Sequence, residues 1–142
     1  NPLSNYNKAI SKLSANGIRP TKQRMILAKL LFEKGKRHIS AEDLFDEVRN
    51  EDRKISLATI YNTLKQFTSL GLIREIVVDQ NKSLYCTNKE SHYHLYIEDE
   101  NKVIDIPTKN IDLNIPSIPA CLKLHDVDVI VRIRTLKEKY KN

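Results

Sequence analysis

His92 and His94 lie two residues apart in a stretch that alternates as a strand should, so both imidazoles point to one side and can reach a single ion. Three more residues of ligand type accompany them: His38, Cys86 and Asp105. Taken singly, each has an ordinary reading: His38 as a surface residue at a helix start, Cys86 as a small buried thiol, Asp105 as a solvated strand residue. As a set brought together by folding across a hinge, they predict a site for a divalent transition metal.

A second chemistry is written in residues 56–69, SLATIYNTLKQFTS. Ser56 is of N-cap type, and Leu57, Ile60, Leu64 and Phe67 recur at helical spacing on a face predicted to be buried. The opposite face carries Thr59, Asn62, Thr63 and Gln66, flanked by Tyr61 and Lys65. Short neutral hydrogen-bonding groups with one aromatic and one cation suit base edges in a major groove, where Asn or Gln pairs with adenine and apolar groups touch thymine methyls. The stretch is expected to be a recognition helix, with a plain solvated face as the alternative.

The elements that must hold these residues follow from period and punctuation. Tyr6, Ile10 and Leu13 mark a first helix stopping near Asn16-Gly17; Thr21 caps a second with Met25, Ile26, Leu27, Leu30 and Leu31 as its buried stripe. Ser40 caps a third, with Ala41, Leu44, Phe45 and Val48 inward, and the third and fourth helices form a helix-turn-helix. Residues 73–78 and 83–87 read as a hairpin around the turn 79–82, a wing behind the recognition helix. Beyond a polar hinge, residues 92–98, 103–106 and 127–134 read as three strands, with a short helical turn expected near 111–113. The predicted class is α+β: a winged-helix DNA-binding domain (residues 1–87), a hinge (88–91) and a small α/β dimerisation domain (92–142), too small to bury much core unaided.

The bulk properties agree. The chain has 142 residues, 40% apolar and 30% charged, as in a globular domain or two small ones. All of its +6 net charge resides in the first half, and residues 1–37 hold nine basic groups against the single acid Glu33, an electrostatic footprint for a polyanion. No apolar run spans a bilayer and no leader pattern precedes a cleavage site, so no membrane role and a cytoplasmic location are expected. Two cysteines, Cys86 and Cys121, build no disulfide scaffold and no CxxC clamp.

The motif in residues 19–24 (RPTKQR), residues 38–44 (HISAEDL), residues 56–64, Gly71-Leu72-Ile73 and the later His92/His94 pair, in this order over nearly the whole chain, resemble the ferric uptake regulator (Fur) superfamily. The absence of both CxxC pairs, with residues 57–64, 103–106 and 126–134, is most similar to the iron response regulator (Irr) branch. The resemblance implies a homodimeric, metal- or haem-responsive transcription regulator, a repressor by type, that binds AT-rich inverted repeats of double-stranded DNA near genes of iron, haem or oxidative-stress physiology. Together with the helix face above, the DNA-contact set is Arg19, which would enter the minor groove, Thr21, Ser56, Ala58, Thr59, Tyr61, Asn62 and Lys65.

The same resemblance places a sensing site on His38, Cys86, His92, His94 and Asp105, with Cys86 standing where a carboxylate is usual. A thiolate favours zinc or ferrous iron over manganese, and adds oxidation sensitivity where exposed. Ser91 and Tyr93 replace ligands of a second site, leaving Asp112 and His125, and Ile97 and Glu100 occupy the first CxxC, so no structural zinc is expected. For haem, Tyr93 or His94 is the candidate axial ligand. Two rival classes are a ligand-independent winged helix for DNA or protein contact, and a metal-dependent hydrolase built on His92, His94 and Asp105. The hydrolase lacks a phosphate-cradling glycine loop and an identifiable general base.

Overall fold

The computed structural model describes residues 2–88 and 90–136. They divide between residues 88 and 90 into two compact units, each with its own three-stranded sheet.

The first unit runs α1 (Pro2–Ala15), α2 (Lys22–Phe32), β1 (His38–Ile39), α3 (Ala41–Asn50), α4 (Leu57–Ser69), β2 (Arg74–Asp79) and β3 (Lys82–Cys86). Thr21, Ser40 and Ser56 stand in extended backbone before their helices. Each hydroxyl accepts the amide three residues on, from Arg24 at 3.3 Å, Asp43 at 3.0 Å and Thr59 at 3.1 Å, satisfying a donor the helix leaves open. At the far ends of α1 and α4, Gly17 and Gly71 adopt φ of +73° and +72°. The reversal lets Ile18 N–H donate to Leu13 O and Leu72 N–H to Phe67 O, both at 2.9 Å. A Cβ at either position would oppose that conformation.

Leu13, Leu27, Leu31, Leu44, Val48, Ile60, Leu64 and Phe67 are wholly buried in one core shared by all four helices. Two expectations fail there. Met25 is 39% exposed, because at about 100° per residue it lies roughly 200° round α2 from Leu27. Thr63, expected on the polar face of α4, is only 3% exposed. Its hydroxyl donates to Thr59 O at 2.8 Å, which satisfies the polar atom within the helix and lets the methyl face the core.

The wing is antiparallel in the order β1-β3-β2, turning at Gln80-Asn81 with Asn81 at φ +61°. Strand β1 was not anticipated, since two residues carry no period. It is held by the Arg37 peptide, whose N–H donates to Thr87 Oγ1 at 2.8 Å and whose carbonyl accepts from Thr87 N–H at 3.0 Å. The Arg37 guanidinium extends the brace to Leu30 O at 2.8 Å and to both carboxylate oxygens of Glu47.

The second unit contains β4 (His92–Ile97), β5 (Lys102–Pro107), a 3₁₀ turn (Thr108–Asn110) and β6 (Ile130–Ile133). The sheet order is β5-β4-β6, with β4 and β5 an antiparallel hairpin and β6 parallel to β4. The helical turn falls three residues before its expected place, directly after Pro107, and among the described residues it is the unit's only helical element. Strand β6 is shorter than residues 127–134 because pairing is bounded by His94 N–H to Val129 O and Glu98 N–H to Ile133 O. Arg132 within it and Arg134 just after it bind Glu98 at 3.3 and 2.9 Å. No described helix is long and apolar enough to cross a membrane.

Candidate metal centre and nucleic-acid interface

In the second unit, the period of two puts His92 and His94 on one side of β4, and both are buried, at 7% and 4% exposure. Antiparallel register sets Asp105 of β5 opposite His94. Nε2 of His92 lies 3.2 Å and Nε2 of His94 3.6 Å from the same oxygen, Asp105 Oδ1, with the imidazoles edge to face at 4.5 Å between centroids.

The other nitrogen of His92 settles its tautomer. Nδ1 is in hydrogen-bond contact with Glu90 O, and a carbonyl only accepts, so Nδ1 carries the proton. A neutral imidazole then aims the lone pair of Nε2 at a carboxylate, acceptor against acceptor. A cation between them, a proton or a metal ion, resolves the conflict, and a carbonyl holding the remote ring nitrogen is the arrangement that orients metal-binding histidines. The donor set therefore fits a divalent ion.

The first unit holds two further residues of ligand type. His38 and Cys86 are register partners across β1 and β3, which places their side chains beside each other on one face of the wing sheet. Cys86 is buried at 1% exposure and His38 half-buried. The Arg37 brace is what places His38. Burial pushes the Glu47 carboxyl up, but its hydrogen bonds and charge interaction with Arg37, helped by Lys34, hold it below the usual carboxylate value. Tyr93 and His94, the haem candidates, are consecutive on β4 and so face opposite sides of the sheet; Tyr93 is half-buried. Asp112 and His125 are exposed on a stretch without regular structure.

On α4, Ala58, Tyr61, Asn62 and Lys65 are exposed and Thr59 is half-buried, while Ser56 is exposed at the cap. Tyr61 is fixed rather than free: its hydroxyl donates to Glu42 Oε1 of α3 at 2.6 Å. That bond, then slight burial and the carboxylate charge, raises the phenol pKa above its ordinary 10.0. The polar side of α4 and the first turn of α2 enclose an open groove of about 770 Å³. Thr21 of the expected DNA-contact set lines it, and so do Lys22, Gln23 and Arg24, which that set does not include. Arg24 spans the groove floor, donating to Gln66 Oε1 at 3.1 Å and to Arg19 O at 2.7 Å, which holds the Arg19 loop to α4. The cap residue Thr21 and the basic excess of residues 1–37 were the available signals.

Comparison with known proteins bears on both features. The model of the ferric uptake regulator family matches residues 15–133. The peroxide-responsive repressor PerR of Staphylococcus saprophyticus is 30% identical over 104 residues, 73% of this chain and 70% of the relative. Among solved structures, the ferric uptake regulator of Vibrio cholerae superposes with a TM-score of 0.70 at 23% identity, covering 89% of this chain and 98% of the other. A zinc-bound manganese uptake regulator superposes with a TM-score of 0.63 at 27% identity, covering 90% and 98%.

Proposed function

We propose, on the premise that this chain belongs to the ferric uptake regulator family, that it is a metal-responsive transcription regulator binding an AT-rich inverted repeat of DNA as a homodimer. The observation that carries the metal response is the His92–Asp105 pair, two acceptors 3.2 Å apart beside a second imidazole. His92, His94 and Asp105 of the second unit and His38 and Cys86 of the first are the proposed ligands. When bound, zinc, ferrous iron or manganese supplies the positive charge these groups lack and a cross-link between them.

The chain does the rest. Arg24 holds the Arg19 loop against α4, Glu42 holds the Tyr61 ring, and Ala58, Thr59, Asn62 and Lys65 offer the exposed surface that reads base edges. A palindrome is bound tightly only by dimers whose two recognition helices match successive groove turns, about 34–36 Å apart. Ligand that favours one domain arrangement shifts the population toward or away from that spacing. Membership of a regulator family weighs against the hydrolase reading, and the charged groove on α2 and α4 against a purely protein-contact module. The Irr-type alternative, in which haem on Tyr93 or His94 releases DNA, is the second arm of the test.

The test is affinity for an AT-rich inverted repeat at fixed salt, with chelated protein set against protein given zinc, manganese, ferrous iron or haem, and His92→Ala as control. Metal tightening that the substitution removes supports the reading. Tight binding by chelated protein that haem abolishes moves it to the Irr type. No duplex binding under any condition would end it.

A further inference from the structure

The connection between α3 and α4 carries three basic side chains that neither the DNA-contact set nor the metal ligands include. An open pocket of about 510 Å³ sits there, lined by Arg49, Arg53 and Lys54, with Phe45 and the α4 cap Ser56 at its sides. Asp52 is the one acid in the lining. Its shape is set by how α3 ends. Asp52 takes φ +56°, Asp52 N–H donates to Arg49 O at 3.0 Å and Arg53 N–H to Val48 O at 3.2 Å, the same reversal that glycine makes in α1 and α4. Ile55, 4% exposed, then pins the chain into the core. Arg53 and Lys54 are thereby held in solvent between two fixed points.

The third cation is placed as well: the Arg49 guanidinium lies 5.7 Å from the Phe45 ring centroid. All three basic side chains are exposed, and among the described residues none is in an ion pair. The first turn of α4 carries no acid, so its open amides add positive potential on the same side. Glu42, Phe45 and Arg49 share one face of α3 at helical spacing. Tyr61 of α4 bonds to Glu42, which ties this face of α3 to the exposed side of α4.

We infer that the α3–α4 turn is a second DNA-backbone surface, with Arg49, Arg53 and Lys54 gripping phosphates beside the groove that α4 enters. This rests on the DNA-binding reading above. Three exposed cations around an open pocket suit a polyanion that engages all of them at once, with counterion release supplying affinity that carries no sequence information.

Affinity would be measured from 50 to 200 mM salt on the inverted repeat and on a random duplex, for the full chain and two variants. In R49Q/R53Q/K54Q the log–log salt slope is expected to fall by about 5, because each protomer of the dimer loses three phosphate contacts, and both duplexes to weaken by a similar factor. In R49K/R53K, which keeps the charges, the slope is expected to stay. Should the triple variant fold poorly, R53Q and K54Q singly are each expected to lower the slope by about 1.8, one contact from each protomer. An unchanged slope in folded variants, while the parent chain binds DNA, overturns this inference alone. A parent chain with no salt-dependent binding to any duplex overturns it together with the DNA-binding reading.

Discussion

Tyr61 and His92 are each held by one neighbour, the Glu42 carboxylate and the Glu90 carbonyl. Tyr61 is positioned by Glu42, and its pKa is raised because the phenol donates to that carboxylate. The hydrogen bond is therefore present below pH 10 and lost as pH rises through the elevated value. Absorbance titration is expected to show this tyrosine ionising above 10, and Glu42→Gln to return it toward the ordinary value. Tyr85, pushed up to about 12 by burial first and then by Glu75, Tyr61 and Glu42, is expected to stay protonated through that range. For the proposed metal site, Cys86 is the ligand that would set ion preference. Cys86→Asp is expected to move the order of thermal stabilisation from zinc toward manganese, since a carboxylate is the harder ligand. His92→Ala is expected to remove the metal-induced stabilisation, about 2.7 kcal/mol for the parent chain at a hundredfold excess over Kd, measured by the shift in melting temperature.

At the scale of elements, the short strand β1 has the least intrinsic support and the most external bracing. Two residues of ladder do not hold a strand; the Arg37–Glu47 ion pair and the two hydrogen bonds between Arg37 and Thr87 do. Because the folded Glu47 pKa lies below 4.5, this stabilisation is present above the unfolded value and disappears as pH falls through the folded one. Glu47→Gln is expected to cost about 1 kcal/mol at pH 7 in urea unfolding, discounted for partial exposure, with the difference from the parent chain closing below pH 4. A constant difference down to pH 3 would mean that the glutamate acts by shape rather than charge.

For the whole molecule, the distribution of apolar surface matters most. The first unit has a closed core, whereas in the second Ile104, Leu122, Leu124, Val131 and Ile133 are exposed, and β6 is an edge strand. Such a surface on a small sheet is what a second copy would cover. Val131→Glu with Ile133→Glu is expected to turn a dimer into a monomer in sedimentation, and to weaken operator binding about 100-fold by removing the second recognition helix. A parent chain that sediments as a monomer would remove the homodimer from the proposed function.

Much of this was legible in the chain itself because it depends on local periods and caps. Thr21, Ser40 and Ser56 announce three helix starts through their hydroxyls, Gly17 and Gly71 mark two helix ends through positive φ, and the strand period alone puts His92 and His94 on one side. What the sequence could not carry was set by neighbours distant along the chain. Strand β1 exists only against β3. Thr63 turns inward because Thr59 takes its hydroxyl bond. The three cations of the α3–α4 turn form a pocket only because a non-glycine Asp52 reverses the backbone there. The tautomer of His92 is decided by Glu90 O, which makes its meeting with Asp105 a place for a cation rather than an ordinary strand pair. Hydrogen-bond direction and register across a sheet are tertiary quantities, and residue type and spacing do not encode them.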